Sequence, residues 1–235
     1  GAAGKTRENI ETLGITLCAS HGTSTAHGSD ESRIAPRETD TRLHGEIRIP
    51  EAPVGLVVFV AACGSAEQAS RGDAGNLLLH SGQAVLTIDL LDAAACHYAD
   101  ATAHVPELTE HLLMVLTHLQ RLIDGAVIPP LPIALFASGD ATPVAVRAAA
   151  IRDKAIAALA CVGGLVDLAG LQYLRVLRAP LLLQHHADDA AAAANIARAR
   201  KFIEGRVDIE VLPEDRFLAD IESARLRVAW IQRQT

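Results

Sequence analysis

Apolar and polar positions along the chain fall into short blocks whose period switches between strand and helix. Leu43, Gly45, Ile47 and Ile49 alternate with polar residues, the period of a half-exposed strand, until Pro50-Glu-Ala-Pro53 interrupts it. Gly55-Leu-Val-Val-Phe-Val60 is apolar throughout, the mark of a strand covered on both faces. A helix-compatible stretch follows over 67–81 and ends near Gly82, before a second buried strand at Ala84-Val-Leu-Thr-Ile-Asp89. Residues 107–123 carry Leu108, Leu112, Val115, Leu116, Leu119 and Leu122 at helical spacing, and Pro129-Pro130 stops them.

The alternation continues to the carboxyl terminus. Ile133-Ala-Leu-Phe-Ala137 predicts a short buried strand, and a helix starts near Thr142-Pro143, where a first-turn proline is tolerated. Strands are expected over Ala157–Val162, Pro180–Gln184 and Val207–Leu212. Helices are expected over Ala190–Ile203 and Ala219–Gln232, the second with Ile221, Ala224, Val228 and Ile231 near one face. This succession predicts an α/β domain with a mostly parallel, twisted sheet and helices on both faces. Residues 1–41 differ. They are rich in Gly, Ser, Thr and charge, and read as an irregular N-terminal arm with one short strand at Ile15–Cys18; the domain proper is expected over 42–235.

Composition narrows the classes. The chain has 235 residues, half of them hydrophobic, enough for one large core, and a net charge of −7. An acidic chain without a basic block argues against a nucleic-acid partner. The longest uncharged apolar run, Ala155–Val166, is too short to span a membrane, so no membrane partner is expected. No positively charged start leads into an apolar stretch, and Cys18, Cys63, Cys96 and Cys161 are widely spaced. A cytoplasmic protein with four reduced thiols is therefore expected. Alanine-rich segments and arginine in place of lysine fit a GC-rich bacterial coding sequence. Gly4-Lys5-Thr6 resembles the end of a phosphate-binding loop, but lacks the preceding glycine and strand that such a loop needs.

Several segments, in their order, carry a resemblance: Gly45-Glu-Ile-Arg-Ile-Pro50, Gly55–Val60 with Cys63-Gly-Ser65, Leu86-Thr-Ile-Asp-Leu-Leu91, Pro132-Ile-Ala-Leu-Phe136, Gly163-Gly-Leu-Val-Asp-Leu-Ala-Gly170 and Arg178-Ala-Pro-Leu-Leu-Leu183. From about Arg42 to Trp230 the chain resembles the α/β-hydrolase superfamily, and most closely its dienelactone-hydrolase-like branch. The resemblance implies a three-layer α/β fold, with the nucleophile on a G-x-S-x-G elbow after the strand ending at Phe136. The matching residues are Ala137-Ser138-Gly139-Asp140-Ala141, so the nucleophile position falls on Gly139, which has no side-chain oxygen. Glycine suits the left-handed turn of an elbow, so φ > 0 is expected at Gly139.

The other family positions are altered too. The oxyanion loop commonly begins His-Gly; Ala61 and Ala62 stand there, ahead of Cys63, whose neighbourhood could still offer a backbone donor. Asp188, with Asp189 beside it, matches the acid. The histidine base is matched by Arg216, which stays protonated and cannot act as a base. The resemblance thus implies a pseudo-hydrolase, with Gly139, Asp188 and Arg216 as vestigial triad positions. Such a protein would bind a small molecule or a partner in a small, apolar remnant cleft bordered by Val162, Leu165 and Val166, or serve a structural role. An ion pair from Arg216 to Asp188 or Asp189 is expected there.

An esterase or lactone hydrolase using a relocated nucleophile such as Ser138 remains the alternative, although one residue of slip turns a strand side chain to the opposite face. Cys63 is a second nucleophile candidate, weighed against a small buried hydrophobe. His185-His186 with Asp188-Asp189 is rich in metal ligands, but strand neighbours diverge, so neither a metal nor another cofactor is expected. Homo-oligomer formation is left open.

Overall fold

The computed structural model describes residues 10–19, 41–64, 66–91, 104–214 and 216–234. Among them, eight strands form one sheet in the order β1-β2-β4-β3-β5-β6-β7-β8. β1 (Glu11–Ala19) and β2 (Thr41–Ile49) run antiparallel to each other, and β2 runs antiparallel to β4 (Gln83–Asp89). β3 (Gly55–Ala61), β4, β5 (Ile133–Ser138), β6 (Ile156–Val162), β7 (Leu181–His186) and β8 (Val207–Leu212) are mutually parallel.

The two sheet faces can be read from residue parity. Leu56, Val58 and Val60 of β3, with Leu135 and Ala137 of β5, belong to one buried cluster. It is completed by α3 (Val105–Asp124), α4 (Ala141–Ile151) and residues of α6 (Ala190–Arg200). Val57, Phe59, Ala134 and Phe136 point the other way, into a second cluster with Leu78, Val228 and Trp230. The last three come from α2 (Asp73–His80) and α7 (Arg216–Gln232). Helices therefore cover both faces, which is why the central strands are apolar without alternation. This is the three-layer α/β-hydrolase fold, with its mostly parallel sheet.

Some elements differ from the sequence expectation. The strand expected at Ile15–Cys18 is a nine-residue strand that joins the sheet, with Ile15 in the core. Residues 11–19 of the expected arm are thus part of the layered structure. The single helix expected over 67–81 is two: α1 (Ala66–Arg71) and α2, separated at Gly72. Their junction is tight, since a Cβ on Gly75 would lie within 1.5 Å of the Ser70 carbonyl oxygen. Only glycine fits there. α7 starts at Arg216, three residues before the expected Ala219. A 3-10 turn at Val166–Ala169 and the short α5 (Leu171–Val176) were not expected, and neither is long enough to show a helical period. No described helix is long and apolar enough to cross a membrane.

Candidate functional site

The parallel strands end at a common edge, where an open α/β sheet presents its ligand-binding crevice. β5 delivers Ser138, Gly139 and Asp140 to that edge. Gly139 lies between β5 and α4 with φ +53°, the left-handed turn expected of an elbow apex. Its N–H donates to the Val162 carbonyl at 3.0 Å, and its carbonyl accepts from Thr142 N–H at 3.0 Å. A Cβ built on Gly139 meets nothing within 4 Å. The apex therefore faces open space and carries no functional group. Asp140 caps α4 without using its side chain, and in the first turn the Thr142 N–H is met by the Gly139 carbonyl instead.

Ser138 is the last residue of β5, half-buried and opposite Val162 of β6. Alternation along β5 gives it the face of Phe136, toward α7 and away from the apex direction.

β6 supplies the opposite wall of the elbow. Gly163 and Gly164 have φ +65° and +81°. Gly163 N–H donates to the Gln184 carbonyl at 2.8 Å, and the Gly163 carbonyl accepts from Thr142 Oγ1 at 3.0 Å. The Thr142 hydroxyl also lies beside the Cys161 thiol beneath the turn. Burial pushes that thiol up to about 12, against smaller opposing effects of Arg227 and Thr142. Cys161 is thus a protonated filler. Of the residues expected to border the cleft, Val166 is buried and Val162 half-buried, whereas Leu165 is exposed, as are Leu168 and Leu171 beyond it.

The loop after β3 is held to the end of β4. The carbonyls of Ala61 and Ala62 accept from Leu90 and Leu91 N–H, each at 3.0 Å, and Asp89 Oδ1 accepts from Ala66 N–H at 3.2 Å. Ala61 is buried and Ala62 half-buried. Cys63 is exposed and disulfide-bonded, its partner lying outside the described residues. This corrects the expectation of four reduced thiols and of a buried Cys63: bridging follows the approach of Cβ atoms in space, which sequence spacing does not reveal. It also removes Cys63 as a thiol nucleophile. Cys18 and Cys161 are free.

At β7, Asp188 is exposed in the turn that follows the strand. Asp189 caps α6, its Oδ1 accepting from Ala192 N–H at 2.8 Å. The expected ion pair to Arg216 rests on a side chain outside those described; the backbone places Arg216 at the first position of α7. His185 and His186 do not converge. His185 Nδ1 bonds the His186 carbonyl at 2.9 Å, and His186 Nδ1 reaches the Pro213 carbonyl at 3.4 Å. Among the described residues, no group of three or more His, Cys, Asp or Glu side chains could hold a metal ion.

A buried polar contact escaped the sequence reading. Gln184, on the α7 face of β7, accepts a hydrogen bond from Ser223 Oγ at 2.7 Å and leaves its own Nε2 unpartnered. A glutamine within an apolar strand run was the available signal.

Comparison with solved structures agrees with the fold. No family model matches the chain. A dienelactone hydrolase from Anabaena variabilis superposes with a TM-score of 0.73 at 20% identity, over 94% of this chain and 98% of that one. A cold-adapted esterase from an Arctic intertidal metagenomic library superposes with a TM-score of 0.66 at 14% identity, over 98% of each chain. At these identities the likeness is one of fold. In sequence, the chain is 29% identical over 170 residues, 72% of its length, to Mycobacterium tuberculosis proteins from two strains named "Putative phosphoribosyl transferase". The match spans 38% of the length of each relative.

Proposed function

We propose that this chain is a non-catalytic member of the dienelactone-hydrolase-like proteins, which uses the cleft at the strand ends to bind a small molecule or a partner. The observation that carries the reading is Gly139: it holds the left-handed turn of a nucleophile elbow and presents only hydrogen to open space. Without an oxygen or sulfur at the apex no acyl-enzyme can form there. The replacement of the base by Arg216 supports the same reading, because a guanidinium does not accept a proton near neutral pH. The exposed side chains of Leu165, Leu168 and Leu171 beside the elbow favour an apolar contact surface.

The relatives named for phosphoribosyl transfer extend far beyond the matched region. A domain of this fold within a longer transferase fits an accessory role, binding rather than transferring.

Turnover of a small activated ester, p-nitrophenyl acetate, tests the reading. Hydrolysis no faster than buffer is expected from wild type and from Ser138→Ala alike. Steady turnover that survives purification and disappears in Ser138→Ala would instead establish the alternative, an esterase or lactone hydrolase working through Ser138.

A further inference from the structure

Among the described residues β8 is the outer strand of the sheet, and only one of its two backbone edges is paired. Leu181 N–H donates to the Arg206 carbonyl and Ala187 N–H to the Leu212 carbonyl, both at 2.9 Å. In a parallel ladder each residue turns its N–H and C=O to the same side, and the side alternates along the strand. Arg206, Asp208, Glu210 and Leu212 therefore face β7, whereas Val207, Ile209 and Val211 turn their backbone groups outward. Ile209 and Val211 are also 45% and 60% exposed. Natural sheets guard such an edge with proline, a bulge or charged side chains. Residues 206–212, Arg-Val-Asp-Ile-Glu-Val-Leu, contain no proline, the register with β7 runs without a shift, and the three charges, Arg206, Asp208 and Glu210, are of both signs.

We propose that β8 pairs antiparallel with β8 of a second copy of this chain, about a two-fold axis at Asp208. Charge selects this register. The two copies share a sheet face, so facing residues must have the same parity along the strand. With Val207 on the axis, Arg206 would face only an Asp208 that each copy already pairs, and Glu210 would face Glu204 twice; with Ile209 on the axis, Asp208 would face Glu210 twice. With Glu210 on the axis, two glutamates that have no ion-pair partner among the described residues would meet, and Arg206 would lie past the partner strand's end. With Asp208 on the axis, Arg206 faces Glu210 of the second copy on both sides of the dyad.

That arrangement also sets Val207 against Ile209 of the second copy. Both turn their backbone outward, so each such pair exchanges both of its hydrogen bonds. The two Asp208 side chains meet at the axis, and each is already bound: Trp230 Nε1 donates to Asp208 Oδ2 at 2.7 Å, and Arg206 lies 2.9 Å from the same oxygen. Glu210 has no ion-pair partner among the described residues and takes one in the dimer.

Sedimentation velocity of the full chain over a range of concentrations tests this, with a denaturation melt of each variant to show that it is folded. A reversible dimer is expected. Arg206→Glu and Glu210→Arg should each raise its dissociation constant about tenfold or more, since each turns two facing pairs repulsive. The double variant Arg206→Glu/Glu210→Arg should recover most of that loss. Ile209→Pro removes an N–H that β7 does not use and should yield a folded monomer. Val211→Lys, which leaves the backbone intact, should weaken the dimer in the same direction. A wild-type monomer at every concentration overturns the proposal. So does a dimer indifferent to both charge reversals, or one that the double variant fails to restore.

Discussion

Gly164 presses against Gly139: a Cβ on Gly164 would lie 2.0 Å from the Gly139 carbonyl oxygen. The turn after β6 and the apex after β5 thus share one packed contact, with positive φ on both sides. The two glycines are required for different reasons. Gly139 needs only its backbone conformation, whereas Gly164 needs its conformation and the absence of a side chain.

Alanine at each position should separate the two causes. Gly139→Ala places a methyl in open space and incurs only left-handed strain, about 1 kcal/mol. Gly164→Ala adds a collision with backbone and should cost roughly 3 kcal/mol or more. Urea unfolding at neutral pH measures both. Equal losses would mean that the contact between the turns is loose.

Placing a hydroxyl and an imidazole at the positions proposed for nucleophile and base tests the non-catalytic reading. Gly139→Ser puts a hydroxyl at an apex whose surroundings are open. Alone it lacks a base and should hydrolyse p-nitrophenyl acetate barely above buffer. Gly139→Ser/Arg216→His adds a histidine at the position proposed for the base, and the gain over the single variant should be about a hundredfold or more, the usual scale of general-base catalysis. No gain in the double variant would place residue 216 out of reach of the apex.

Much of the frame was legible in the sequence because burial on both faces leaves uninterrupted apolar runs. Gly55–Val60 and Ile133–Ala137 announce central strands that way, and the elbow follows from where β5 ends. Ile15 and Leu17 were harder to place: β1 is an edge strand, bordered by polar chain without hydrophobic period, and only pairing with β2 shows its role. The break between α1 and α2 depends on the contact of Gly75 with Ser70, which no periodicity records. Asp189 was legible as an acid beside Asp188, but its use as a cap depends on α6 starting at the next residue. The Cys63 bridge depends on spatial approach alone.

The free thiols should differ sharply in reactivity. Cys18 is exposed, whereas Cys161 is buried with its thiol pushed up to about 12. At pH 8 burial keeps the Cys161 thiol protonated even before access is considered. Iodoacetamide on the native protein, followed by peptide mass mapping, should modify Cys18 and spare Cys161; in concentrated urea Cys161 should react as well. Modification of Cys161 in the folded protein at a rate near that of Cys18 would contradict its packing beneath the elbow.

The single tryptophan offers a pH readout at the opposite edge of the sheet. Trp230 is buried, and its indole N–H bonds the Asp208 carboxylate, holding that carboxyl below the usual range, with Arg206 assisting. A carboxyl whose folded-state pKa is depressed stabilises the fold above its unfolded value, near 4, and that contribution fades as pH falls toward the folded value. Asp208→Asn keeps the shape but removes the charge. Because the carboxylate is one-third exposed, the loss should be about 1 kcal/mol rather than the full worth of a buried charged bond. Urea titrations followed by Trp230 emission should show that gap undiminished from pH 7 to 5. It should narrow below pH 4, where wild type protonates and the two side chains become alike. A gap that stays constant down to pH 2 would show that the variant acts through packing and not through charge on Asp208.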